Sequence, residues 1–120
     1  MSTLKANAFQ TTSGAGLYPA KSWLTWGVDG TQHIDDSENI SSIADTAVGK
    51  TTVNISTAYS NANYSLVTTN CHPNTSTYRG ITSGNTCGTD NLRTTSQFVQ
   101  WQWDSGWSDI TRACNMTVGN

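Results

Sequence analysis

Several groups of residues in this 120-residue chain have types and spacings that could do chemistry. The densest is His33-Ile34-Asp35-Asp36-Ser37-Glu38, an imidazole and three carboxylates within six residues. Along an extended chain His33 and Asp35 share one face while Asp36 and Glu38 share the other, so the four groups do not converge on one ion. Calcium needs several oxygens gathered round one point, and the spacing is not that of an EF-hand loop. The segment therefore reads as a solvated polar strand or loop, with no metal and no cofactor. Cys71-His72 places a thiol beside an imidazole that could lower its pKa and make it a nucleophile. Neighbours on a strand point to opposite faces, however, and His33 is the only other histidine. Gly-x-Ser-x-Gly, phosphate-loop and HExxH patterns are absent. Carboxylates able to flank a sugar could come only from scattered aspartates. The chain reads as a non-enzyme, with no catalytic residue.

Trp101, Trp103 and Trp107 lie around Asp104-Ser105-Gly106, a hairpin-turn signal. Alternation puts Trp101 and Trp103 on one face. Indoles bury large areas, so the first reading places these residues in the core or at a subunit interface. The second is a platform against which the C–H faces of sugar rings stack. The polar stretches 71–77 and 83–91 suit adaptable contacts made by Ser, Gly and Asn, or serve as plain solvent-facing connections.

Elements must position these side chains, and composition says which kind. Hydrophobic residues make up 35% and charged residues 12%, with a net charge of only -2, so the charge excess typical of disordered chains is missing. Abundant Thr beside Val, Ile, Tyr and Trp favours pleated, half-buried surfaces. Six scattered Lys and Arg form no basic stripe, which argues against nucleic-acid binding. No apolar run approaches the length that spans a bilayer, and the N-terminus lacks a signal peptide's apolar core, so no membrane insertion is expected. Cys71, Cys87 and Cys114 form no CxxC; either all are reduced or Cys71 and Cys87 pair.

No window carries sustained helical periodicity. Residues 20–28 read as a strand with Trp23 and Trp26 as its large side chains, closed by the Asp29-Gly30 turn. Residues 33–43 read as a second strand, with Ile34, Ile40 and Ile43 as core candidates. After a turn over 44–50, residues 51–56 alternate with Val53 and Ile55 on one face. Residues 64–68 follow, then a shorter strand over 75–82 around Tyr78 and Ile81. Residues 95–103 place Phe98, Gln100 and Gln102 opposite Val99, Trp101 and Trp103. A last strand spans 107–118, with Ile110 and Met116 among its residues. Short strands at this spacing predict an all-β, antiparallel β-sandwich over 17–120. Residues 1–16 read as an extended arm with a Gly-rich joint, anchored by Leu4 and Phe9.

Three stretches also resemble a domain of phage tail-fibre and other virion-surface proteins, notably of phages infecting cyanobacteria and marine bacteria. The opening 2–14 is similar to the attachment segment of such proteins, and Pro19-Ala20-Lys21-Ser22-Trp23 to their first body strand. Asn39-Ile40-Ser41-Ser42-Ile43-Ala44-Asp45, then Thr52-Val53-Asn54-Ile55 and Asn61-Ala62-Asn63-Tyr64, resemble the family's two strands and turn. Thr51-Thr52 stands where the family carries an aromatic, and 71–91 matches none of its patterns. The resemblance implies a β-sandwich that assembles as a homotrimer without chemistry of its own. The expected function is a tail-fibre or fibre-tip module for host attachment, located in the virion and partnered by other virion proteins and a host-surface glycan. Alternatives are a capsid decoration protein and a stand-alone carbohydrate-binding module. The arm, through Leu4 and Phe9, is expected to dock by adding a strand to a neighbour.

Overall fold

The computed structural model describes residues 20–71, 82–84, 93–103 and 109–119, and for residues 70–71, 82–84 and 103 the backbone alone. The arm with Leu4 and Phe9, the loops 72–81 and 85–92, Cys87 and Trp107 lie outside the described residues.

The described residues form eight strands: β1 Ala20–Gly27, β2 His33–Glu38, β3 Ile40–Ala47, β4 Lys50–Ile55, β5 Ser65–Cys71, β6 Thr82–Gly84, β7 Gln97–Trp103 and β8 Arg112–Val118. They form two four-stranded antiparallel sheets, ordered β2-β1-β8-β5 and β3-β4-β7-β6, packed as a β-sandwich. The all-β, antiparallel expectation holds.

Alternation builds the core. Leu24 and Trp26 of β1 and Ala113 of β8 point inward from the first sheet. Ile43 of β3, Val53 and Ile55 of β4 and Phe98 of β7 meet them from the second. Val28 and Ile110 close one end, with both Val28 N and Asp29 N donating to Ile110 O. Tyr59 and Tyr64 close the other, edge to face at 4.8 Å between ring centroids.

The expected single strand over 33–43 is in fact two strands in different sheets. Asn39 separates them with φ 57, a left-handed conformation that Asn tolerates better than most residues. Its amide holds the corner: Nδ2 donates to Lys21 O and Thr57 O, and Oδ1 accepts from Thr57 N at 2.8 Å. Alternation cannot reveal such a crossing, because Ile34 and Ile43 satisfy a β pattern on either side of it.

One expected core residue is also corrected: Ile34 is exposed on edge strand β2. In β8, Ala113, Asn115 and Thr117 turn inward and Met116 faces outward. The last strand begins at Arg112 rather than 107; residues 109–111 are irregular, and 107–108 lie outside the described residues. The expected turn over 44–50 is shorter, since β3 runs on to Ala47 and β4 starts at Lys50. Of the strand expected over 75–82, Thr82 is the one described residue and falls in β6; residues 75–81, with Tyr78 and Ile81, lie outside the described residues.

Candidate interaction faces

The inner side of the sandwich carries buried polar groups, and several of them serve one another, although among the described residues Gln102 Oε1 is buried without a hydrogen-bond partner. Trp26 Nε1 donates to Asn115 Oδ1, and Asn115 Nδ2 donates to Gln100 Oε1, both at 2.5 Å. This chain runs from β1 through β8 to β7 and so ties the two sheets together. Ser22, Thr117 and Tyr59 form a hydroxyl triangle: Tyr59 OH donates to Ser22 Oγ at 2.7 Å, and Ser22 Oγ lies 2.8 Å from Thr117 Oγ1. Gln102 Nε2 reaches Thr51 Oγ1 at 3.2 Å. Buried amides and hydroxyls cost little once paired and a good deal when stranded, so these residues read as structural.

Burial pushes the Tyr64 phenol up to about 12, with Arg93 pulling the other way and Tyr59 adding a smaller upward push. The hydroxyl donates to Thr94 O and Gln97 O, each at 3.1 Å, while Arg93 donates to Tyr64 O. Tyr64 therefore fastens the approach to β7 and is not an exposed acid. Asp45 is raised above the ordinary carboxylate value, first by desolvation and then by the charge of Asp109. Asp109 Oδ1 accepts from Gly49 N at 2.9 Å and so holds the β3–β4 turn against the segment before β8.

The dense acidic segment is spread along edge strand β2. Asp36 lies opposite Thr25 and Glu38 opposite Trp23, with a register shift between them and the Ile34 pairing. Asp35 falls at that shift, where Oδ2 meets Arg112 Nε at 3.2 Å and Oδ1 lies 3.8 Å from His33 Nε2. Among the described residues no three His, Cys, Asp or Glu side chains group as metal ligands. Cys71 is the final residue of β5, paired with Arg112; its side chain, His72 and the alternative Cys71–Cys87 pairing lie outside what is described. Cys114 is a free, exposed thiol.

Two outward faces remain as candidates. On the second sheet, Trp101 is half-buried and points away from the core, because Gln100 and Gln102 point into it. Lys50 lies opposite it in register, with Nζ 4.9 Å from the ring centroid, a cation–π arrangement. Val99 shares this face and is buried outside the core cluster. The backbone of Trp103 lies opposite Thr82, and Gly84 lies opposite Trp101. Of the three tryptophans singled out from sequence, the structure therefore places Trp101 outward, Trp103 by its backbone alone, and Trp107 not at all.

The chain matches no protein-family model, no curated protein and no solved structure.

The first sheet carries a row that sequence reasoning missed. Trp23 pairs with Met116, and Met116 pairs with Val67, so three large apolar side chains line up across β1, β8 and β5. All three are exposed, at 38%, 41% and 51%. Thr25, Cys114 and Thr69 form the next outward row, and Glu38 flanks Trp23 at the β2 edge. The signal was present in β1: Trp23 and Trp26 are three apart, so a regular strand cannot bury both. In β8 hydropathy misleads, since the strand buries Asn115 and Thr117 and exposes Met116. A row of large apolar groups on a solvent-facing sheet supports binding by contact.

Proposed function

We propose that this chain is a non-enzymatic structural protein of a phage particle, working as a trimeric tail-fibre or fibre-tip module for host attachment. One observation carries the reading. The run 39–64 that resembles virion-surface proteins is also the run on which the fold turns: the Asn39 corner, the β3–β4 hairpin, and buried Tyr64. A resemblance seated on corner and core residues speaks for a shared framework, because such positions answer to backbone geometry and packing. The outward rows support a role in contact rather than catalysis. The interior amides and hydroxyls of Asn115, Gln100, Ser22 and Thr117 support the same reading, since they are engaged with each other or with Trp26.

In this reading the N-terminal segment attaches the module to other virion proteins, with Leu4 and Phe9 as its apolar anchors. The test uses the full-length chain carrying Leu4→Asp and Phe9→Asp together. Such protein should keep its sandwich fold by circular dichroism yet be lost from purified particles. Normal incorporation would defeat the attachment role. Capsid decoration remains the alternative, because a cement protein would use the same kinds of surface.

A carbohydrate-binding module is favoured by one specific feature, the outward Trp101 with Lys50 at its ring. Indole faces stack on sugar C–H groups, and an ammonium adds a donor for hydroxyl or acidic substituents. A glycan array separates this from pure assembly. Binding that is lost in Trp101→Ala would support glycan contact, whereas an array without signal would remove both the stand-alone module and the glycan-reading fibre tip.

A further inference from the structure

We infer that the Trp23–Met116–Val67 row is the seat of this chain's own N-terminal segment, with Phe9 packed on the row and Lys5 paired to Glu38. The row is built by register. Trp23 of β1 lies opposite Met116 of β8, and Met116 opposite Val67 of β5, so the three side chains stand side by side on the outward face. All three are exposed, and apolar groups lined up against water gain from a cover.

Size selects a short occupant. Three partly exposed side chains make a patch far smaller than the about 800 Å² per partner that a stable dimer buries, so the row suits a few residues of chain rather than a second copy. Charge selects which residues. Glu38 of β2 lies opposite Trp23 and extends the line, which runs carboxylate, indole, thioether, isopropyl from β2 to β5. Lys5 is the only charged side chain in residues 1–19, and Asn7 and Phe9 follow it at alternate positions. In an extended segment Lys5 and Phe9 therefore share a face. The spacing agrees: four residues of extended chain cover about 13 Å, and the three strand spacings from Glu38 to Val67 cover about 14 Å. With Lys5 at Glu38, Phe9 falls between Met116 and Val67. The segment joins the sandwich at Ala20, which heads β1 opposite Val118, two residues along β8 from Met116. The chain between Phe9 and Ala20 reaches up to about 36 Å, against roughly 8 Å from Ala20 to Met116. A tether of this length holds the segment at an effective concentration on the order of millimolar, enough for a contact of few side chains.

This contact belongs to the free chain and does not rest on the virion reading, which is judged by incorporation into particles. Any partner that takes Phe9 must first displace it from the row. The experiment irradiates full-length protein carrying p-benzoylphenylalanine at position 9 and identifies the cross-linked peptides by mass spectrometry. An equal mixture of light and isotope-labelled heavy chains gives contacts within a chain and between chains different masses. The expected products join position 9 to Met116 or Val67 within a single chain. Met116→Asp should lower the yield at Val67 about tenfold with circular dichroism unchanged. Glu38→Lys should lower it by up to about fivefold, as an exposed ion pair allows, and Lys5→Glu in the same chain should restore it. Cross-links confined to other surfaces, or none, would overturn the contact and leave the virion reading standing. Mixed light–heavy products at the row would overturn it as well, because they would seat the segment on a second copy. So would yields indifferent to both substitutions.

Discussion

Asn39 meets three demands at one position: a left-handed backbone, an acceptor for Thr57 N, and a donor to the carbonyls of Lys21 and Thr57. Asn39→Ala fails on all of them, and the combined loss should be about 2–3 kcal/mol. Asn39→Gly restores the backbone freedom and should cost roughly 1 kcal/mol less than Ala. Urea unfolding of the three proteins checks the order, and an alanine variant as stable as glycine would contradict the backbone argument. Tyr64 makes a different prediction. Its phenol is pushed up to about 12 in the folded protein from a model value of 10.0, chiefly by burial. The folded state thus favours the neutral form. The stability tied to that preference is fully present below pH 10.0 and declines as pH rises towards about 12. Tyr64→Phe should remove this alkaline loss while lowering neutral-pH stability by about 1 kcal/mol, through the lost bonds to Thr94 O and Gln97 O. Melting temperature followed across alkaline pH reads both effects.

At the scale of elements, β1 must end where the chain before β8 crosses it. A Cβ on Gly27 would collide with Thr111 O and lie 2.9 Å from Thr111 C, both backbone atoms that cannot swing aside. Gly27→Ala should therefore cost more than about 4 kcal/mol or prevent folding. Gly30, in the following turn, has φ +79 and open space where a Cβ would go, so Gly30→Ala should cost only about 1–2 kcal/mol of backbone strain. Chemical denaturation of the pair distinguishes close approach from conformation. If both cost the same, the contact with Thr111 is not what matters. The strands were legible wherever inward positions were apolar, as in β4 with Val53 and Ile55. They were less legible where the inward face is polar, as in β8, because hydropathy does not see that Asn115 is satisfied by Trp26 and Gln100. Nor does it see a strand change sheets. Asn39 looks like any surface polar residue until its φ and its partners 18 residues away on either side are known.

At the scale of the whole molecule, the sandwich pairs several polar side chains beside its apolar core and, among the described residues, leaves the Trp23–Met116–Val67 row facing out. Alternation separated Gln100 and Gln102 from Trp101 correctly, but not which set faces the core, since that depends on partners from β8 and β4. The Trp23–Met116–Val67 row was hidden for a simpler reason: its members come from strands far apart in sequence, and only strand order makes them neighbours. The central proposal is that this chain is a structural protein of a phage particle. The most direct test is the copy number of this chain in purified phage particles, measured by quantitative mass spectrometry against the major capsid protein. A fixed stoichiometry matching the few copies of a tail appendage is the predicted result. Copies approaching those of the capsid protein would move the chain to the shell as a decoration protein. Its absence from particles that otherwise contain every structural protein would contradict the account.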